Sequence, residues 1–181
     1  MKVVLGFILC VFASITALAQ GTVYFSNYYP LFGVNAPFYD YQGRPLLGPD
    51  YLAQLYAGET ANSFTPVGAP VGFGIAGQRA GYVFGDVVEI PFIQGGLPVW
   101  VQMRAWAVAG GATYEEALAS GAYTGLSNVL FLPATGNPGG GVPSEPALLV
   151  GLQFLGVPEP APWQLGLLGF GLLAFLPRRP C

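Results

Sequence analysis

The sequence predicts a mainly β fold. The expected architecture is a single β-sandwich or jelly-roll-like domain with one short helix, plus an N-terminal signal peptide and a C-terminal transmembrane helix. Three observations lead there. Short apolar stretches with period-2 alternation recur between Gly- and Pro-rich turn signals, the pattern of many short strands. Only one stretch carries helix start and stop signals. Two charge-free apolar runs flank the whole, at Val3–Leu18 and Ala161–Leu176. The expected boundaries are therefore 1–19 for the signal peptide, 20–156 for the exported β domain and 157–181 for the closing segment.

The elements of the body follow in order. "GTVYFSN" (Gly21 to Asn27) alternates Val23 and Phe25 with Thr22 and Tyr24, which suits a strand. "NYYPLFGVNAPFYDYQGRPLLGPD" reads as a long aromatic loop, because its prolines and glycines oppose regular structure. "YLAQLYAG" (Tyr51 to Gly58) fits helix or strand by length. Its alternation of Leu55 and Ala57 with Gln54 and Tyr56 favours strand. Pro66 and Pro70 confine "TPVGAPVGFGIAG" to a loop or a sheet edge. "GYVFGDVVEIPFI" (Gly81 to Ile93) reads as one broken strand or two short ones.

"VWVQMRAWAVA" (Val99 to Ala109) is the clearest strand. Val99, Val101, Met103, Ala105 and Ala107 form a purely apolar face for the core; Trp100, Gln102, Arg104, Trp106 and Val108 form the other. Thr113 and Glu116 make a T-x-x-E capping box ahead of "YEEALAS", and Gly121 suits the left-handed closing position, so a two-turn helix is expected there. "SNVLFLPA" (Ser127 to Ala134) is a further strand, and "TGNPGGGVPSEP" (Thr135 to Pro146) a flexible connection. "ALLVGLQFLG" (Ala147 to Gly156) either returns to complete a sheet or forms an apolar stalk.

Composition removes several kinds of function. The chain of 181 residues is 53% hydrophobic and 8% charged, against about a quarter charged in an ordinary soluble domain. Histidine is absent, and with it the side chain best suited to acid–base work near neutral pH and to transition metals. Cys10 and Cys181 lie outside the body, so no disulfide framework or thiol site is expected within it. Between Gln20 and Gly156 the only cations are Arg44, Arg79 and Arg104, against eight carboxylates. Nucleic acid requires a basic footprint that this stretch lacks. Ser or Cys nucleophiles have no histidine or lysine partner in the body. Asp86 and Glu89, three residues apart, fall on opposite faces of a strand, and Glu115 and Glu116 sit at the positive end of a helix dipole, so neither pair suggests a glycosidase. Asp40 and Asp50 do not have the spacing of an EF-hand loop. No catalysis, no cofactor and no metal site are expected.

The ends carry the clearest motifs. Lys2 precedes the first apolar run, and Ala17-Leu18-Ala19 has the A-x-A form of a signal-peptidase site, with cleavage before Gln20. An uncleaved anchor helix is the other reading of that run. Near the C-terminus, Pro158-Glu159-Pro160 precedes sixteen uncharged residues, Ala161 to Leu176, then Arg178 and Arg179. That run is marginal for a span, which takes about 20 residues and at least roughly 17. Trp163 suits the headgroup level, and Lys2 and the arginine pair favour the cytoplasmic side. The expected topology exports the body.

The closing set of "VPEP", apolar segment and "RR" resembles the PEP-CTERM sorting signal of Gram-negative bacteria. The resemblance covers about the last 25 residues of the chain. It implies that Pro158, Glu159 and Pro160 are the motif recognised by exosortase, a multispanning membrane transpeptidase that cuts near it. It also implies that Leu165–Leu176 spans the inner membrane and that Arg178 and Arg179 stop transfer. The contact with exosortase and inner membrane is then transient, and the product goes to the cell surface or exterior, among exopolysaccharides. The departures are the short span, a basic stop of only two arginines, and Pro180-Cys181 after it. "QGTVYFSN", "YLAQLYAG" and "TYEEALASGAYTGLSN" resemble a body recurrent among PEP-CTERM proteins of one bacterial group, which implies the exported setting and no activity.

The expected role is structural or adhesive, without catalysis. The alternative is a carbohydrate-binding module acting on exopolysaccharide. Its candidate platform is Trp100 and Trp106, about 20 Å apart on one strand face, with Gln102 and Arg104 between them. Tyr28, Tyr29, Tyr39 and Tyr41 would add amphipathic surface from the long loop. The competing reading packs both tryptophans beneath the helix or the loops.

Overall fold

The computed structural model describes residues 19–139, 143 and 145–156. It is mainly β, consistent with a β-sandwich. The elements are β1 (Gln20–Ser26), β2 (Tyr28–Tyr29), β3 (Val34–Asn35), β4 (Tyr51–Thr60), β5 (Ser63–Gly72), β6 (Phe84–Gln94), β7 (Val99–Ala107), α1 (Tyr114–Ser120), β8 (Thr124–Ser127), β9 (Leu130–Leu132), β10 (Ala147–Leu148) and β11 (Phe154–Gly156).

The larger sheet runs β11-β8-β7-β4-β5, with β9 continuing the β8 side of β7. The smaller runs β10-β1-β6, its β1–β10 pair being parallel. Between them lies the main core. Val23 and Phe25 from β1 and Val88 and Ile90 from β6 meet Leu55 and Ala57 from β4 and Val101, Met103 and Ala105 from β7. Each buried aliphatic or aromatic side chain there contributes roughly 1.5–3 kcal/mol relative to exposure. The alternation of β7 thus orients its apolar face as expected, with Ala107 only half-buried at the rim.

The other face of β7 is covered too. Helix α1 lies over the larger sheet, and Trp106, Tyr56, Tyr114 and Ala117 form a second buried cluster beneath it. The helix itself follows its caps. Thr113 Oγ1 accepts from the Glu116 N–H at 3.2 Å, and Gly121 closes the C-terminus at φ 73°. Glu116 reaches one residue further back than a standard capping box, accepting from the Ala112 N–H at 2.6 Å.

Several local expectations are decided by pairing. Residues 63–72 form an edge strand, which is where Pro66 and Pro70 are tolerated. The stretch read as one broken or two short strands is one strand, β6, beginning at Phe84. β6 is also an edge, and its exposed Asp86, Glu89 and Pro91 discourage further pairing. The "ALLVGLQFLG" stretch returns to complete both sheets, through β10 and β11.

Other expectations need correction. The strand expected over Ser127–Ala134 is split: β8 ends at Ser127 and β9 covers only Leu130–Leu132. The cause is Ser127, which is fully buried and turns its hydroxyl into the ladder. Its Oγ accepts from the Met103 N–H at 2.8 Å and donates to the Asn128 carbonyl at 2.8 Å. The stretch expected as a flexible connection from Thr135 is fastened at its start. Thr22 and Gly136 exchange backbone bonds of 3.0 and 2.8 Å, and Thr135 is fully buried. The long loop contains the small β2–β3 hairpin.

Among the described residues, no helix is long and apolar enough to cross a membrane. The expected signal peptide over 1–19, except for Ala19, and the expected transmembrane helix after Pro160 lie outside them.

Candidate functional site

The sequence nominates the outer face of β7, and the structure builds something different there. Trp106 is completely buried under α1, with its indole N–H unpaired. It has no face to offer a sugar ring, so the two-tryptophan platform does not form. Trp100 is half-buried at the far end of the strand and packs against Phe131 of β9 at 4.8 Å between centroids. The reading in which large aromatics pack inward holds for Trp106, because α1 must bury an apolar stripe and this sheet face supplies the partner.

Gln102 and Arg104 belong to the same packing. Arg104 lies over the Tyr56 ring at 4.1 Å, with the Tyr114 ring at 5.2 Å and the Phe64 ring at 5.8 Å. Its Nε donates to Gln102 Oε1 at 3.0 Å. Gln102 in turn donates to the Ser127 carbonyl at 3.1 Å. Glu115, at the start of α1, accepts from the Tyr56 hydroxyl at 2.9 and 3.0 Å and lies 3.6 Å from Arg104 Nη1. Stacked cation, carboxylate and phenol therefore fasten the helix to the sheet. These groups hold the helix against the sheet.

The phenols of this region have a measurable consequence. Burial, then the hydrogen bond and negative charge of Glu115, push the Tyr56 hydroxyl well above its ordinary 10.0. Burial does the same to Tyr123, whose hydroxyl donates to the Tyr39 carbonyl at 2.7 Å. Raised folded-state values mean that the unfolded chain loses its phenolic protons first. Stability should then be fully present below the ordinary tyrosine value of 10.0 and fall as pH rises above it. Urea midpoints measured from pH 8 to 11 will check this, and Tyr56→Phe should flatten the alkaline slope.

The remaining nominated residues are dispersed. Asp40 anchors its own turn, accepting from the N–H groups of Gln42 and Arg44 at 2.8 and 2.9 Å and pairing with Arg44 Nε at 2.8 Å. Burial raises the Asp40 carboxyl, but the Arg44 and Gln42 bonds outweigh it and hold it below its usual value. Asp50, Asp86 and Glu89 are exposed. Among the described residues, no group of three or more His, Cys, Asp or Glu side chains is placed to hold a metal ion. Ala19 is half-buried, its carbonyl accepting from the Gly95 N–H at 2.8 Å, and Gln20 opens β1. Ala17, Pro158, Glu159, Pro160, Arg178 and Arg179 lie outside the described residues.

Sequence reasoning half-found another surface. Tyr28 and Tyr29 do contribute an aromatic face, but their companions are Tyr24 of β1, Phe84 of β6, Tyr82 just before it and Phe32 of the hairpin turn, rather than Tyr39 and Tyr41. Tyr28 packs on Tyr82 at 4.7 Å and on Phe84 at 5.9 Å. Tyr29 meets Tyr24 at 5.9 Å and stacks on Phe32 at 5.1 Å. Two shallow grooves, of about 360 and 350 Å³, lie on either side of the Tyr24–Tyr29 ridge. The available signal was Tyr24 on the outward positions of β1, three residues before the loop that carries the tyrosine pair.

No protein family, curated protein or solved structure matches the chain.

Proposed function

We propose that the chain is an exported, non-catalytic protein of the cell surface or extracellular matrix. It is held first by a temporary membrane tether and then cut free by exosortase near Pro158–Pro160. The observation that carries this reading is the ordered set in residues 157–181: Pro-Glu-Pro, an uncharged apolar run and an arginine pair. The placement of the body supports it. β1 begins at Gln20, directly after the expected leader site, and β11 ends at Gly156, two residues before the motif.

A structural or adhesive role draws support from how the ionisable groups of the body are used. Asp40 and Arg44 close a turn, Glu116 caps α1, and Arg104 and Glu115 fasten that helix. Groups committed to such contacts are poor candidates for turnover. A chain lacking residues 157–181 tests the proposal in the native host. It should reach the exterior without pausing at the inner membrane, or be misrouted or degraded. If the shortened chain arrives at the same destination, with the same membrane-bound precursor, the tether reading fails.

A further inference from the structure

The exit of the body toward residue 157 and the β2–β3 hairpin lie at one end of the sandwich. Ser26 at the end of β1 pairs with Phe84 at the start of β6, and Phe73, just past β5, bridges Val83. Tyr51 at the start of β4 pairs with Ala107 at the end of β7, and Thr124 at the start of β8 pairs with Trp106. β11 runs antiparallel to β8, so Gly156 also points to this end. The hairpin springs from Asn27 there and lies beside Val150, which a Cβ on Gly33 would approach to 4.0 Å.

The hairpin tip is unusual for a water-facing loop. Pro30–Phe32 form a single tight turn closed by Gly33 at φ 79°. Leu31 is 93% exposed and Phe32 55%, with Tyr28 and Tyr29 still more than a third exposed behind them. Leu31 therefore contributes almost nothing to the fold it stands on. An apolar tip backed by tyrosines is the arrangement that partitions at a lipid headgroup boundary, ring bodies in the apolar side and hydroxyls in the wet side. Among the described residues, the charges that touch this face include Arg79, over the Phe84 ring at 5.3 Å, and Glu145 on the rim of one groove. Opposite in sign, they suit zwitterionic rather than strongly anionic lipid.

We propose that this hairpin is a membrane-docking element, Leu31 and Phe32 entering the headgroup–acyl boundary of a zwitterionic bilayer while Tyr28 and Tyr29 stay at headgroup level. The inference rests on reading residues 157–181 as a tether. The uncharged run begins at Ala161, five residues past Gly156, and five extended residues reach at most roughly 17 Å. The body is thereby held close to lipid, where a contact of two apolar side chains is sufficient. Once the tether is cut that contact alone is too weak to retain the protein, so docking and release are compatible.

The full chain in phosphatidylcholine vesicles carrying an acyl-chain photoreactive diazirine tests this, with adducts located by tandem mass spectrometry. Adducts are expected on Leu31–Phe32 and, separately, within 161–176. In the Leu31→Ser, Phe32→Ser double variant the hairpin adducts should fall roughly tenfold or more, at an unchanged unfolding midpoint, while those in 161–176 persist. Adducts in 161–176 with none on the hairpin overturn the docking surface and leave the tether intact. Hairpin adducts without any in 161–176 support the surface and remove the tether. Covalent pairs between two copies at Leu31, in place of lipid adducts, overturn the inference in favour of self-association.

Discussion

Trp106→Ala should destabilise the body by about 3–5 kcal/mol, the range for removing a large aromatic from a packed interior. Trp106 has no exposed surface and is surrounded by Tyr56, Tyr114 and Ala117. The cavity cannot collapse easily. The sheet below is pinned by ladder pairing of β7 with both β4 and β8, and the helix above by its caps and by the Arg104–Glu115–Tyr56 contacts. Trp100→Ala should cost markedly less, because Trp100 is half-buried at the sheet rim and leaves a gap that water can fill. Urea denaturation of the two variants side by side checks the ordering. Equal costs would mean that the helix does not cover this face. Trp106→Phe should recover a large part of the loss, since the indole N–H has no partner to forfeit.

Asn27→Ala should be nearly as damaging, about 3–4 kcal/mol, for a different reason. Asn27 is fully buried and bonds only to backbone. Its Nδ2 donates to the Ala36 carbonyl at 2.7 Å and the Gly81 carbonyl at 3.1 Å, and its Oδ1 accepts from the Val83 N–H at 2.6 Å. One side chain thus ties the end of β1 to the far side of the hairpin and to the approach of β6. Gly81 keeps a second bond, from the Phe38 N–H at 2.9 Å. The Val83 N–H and the Ala36 carbonyl lose the bonds they make to this side chain, and each buried orphan costs roughly 1–3 kcal/mol. Asn27→Asp provides a control of nearly the same shape. The carboxylate keeps the acceptor but sets a buried charge against two carbonyls, which raises its folded-state pKa. Its stability should therefore be greatest at acid pH, below the unfolded-chain value, and decline as pH rises through the folded one. A variant insensitive to pH would show that the side chain is not enclosed.

These two residues mark where sequence reading stops. Period-2 alternation correctly assigns Val101, Met103 and Ala105 to one face of β7 and Trp106 to the other. It does not say what covers either face. That Tyr114 and Ala117 of α1 lie over Trp106 is a contact between separate segments, and a strand with both faces covered loses the polar–apolar contrast on which the reading relies. Asn27 reads as a turn residue ending "GTVYFSN", and its role depends on Gly81 and Val83, more than fifty positions away. The helix was legible because Thr113, Glu116 and Gly121 are local signals. β5 was legible only as far as its prolines restrict it to an edge. β8 was missed, because "GAYTGLSN" carries two glycines and a terminal Asn that resemble turn chemistry, while its pairing with β7 at Arg104–Trp106 is a contact between separate segments.

The candidate site divides in the same way. Gln102 and Arg104 are adjacent as expected, yet the aromatic rings around Arg104 come from β4, β5 and α1 and belong to the fold. The hairpin face was visible only as a pair of tyrosines, since Phe84 and Leu148 join it through pairing with β1 and Tyr82 through the segment leading into β6. The proposed sorting segment, by contrast, is a linear pattern whose parts lie within 25 residues and need no folding to be read.

Intact-mass analysis of the protein recovered from the surface fraction of its native host tests the central claim most directly. Export through a cleaved leader and a cut tether predicts a mass that starts at Gln20 and ends close to Pro158–Pro160, with neither Cys10 nor Cys181 present. A surface-fraction protein whose mass still includes Arg178, Arg179 and Cys181 would contradict it.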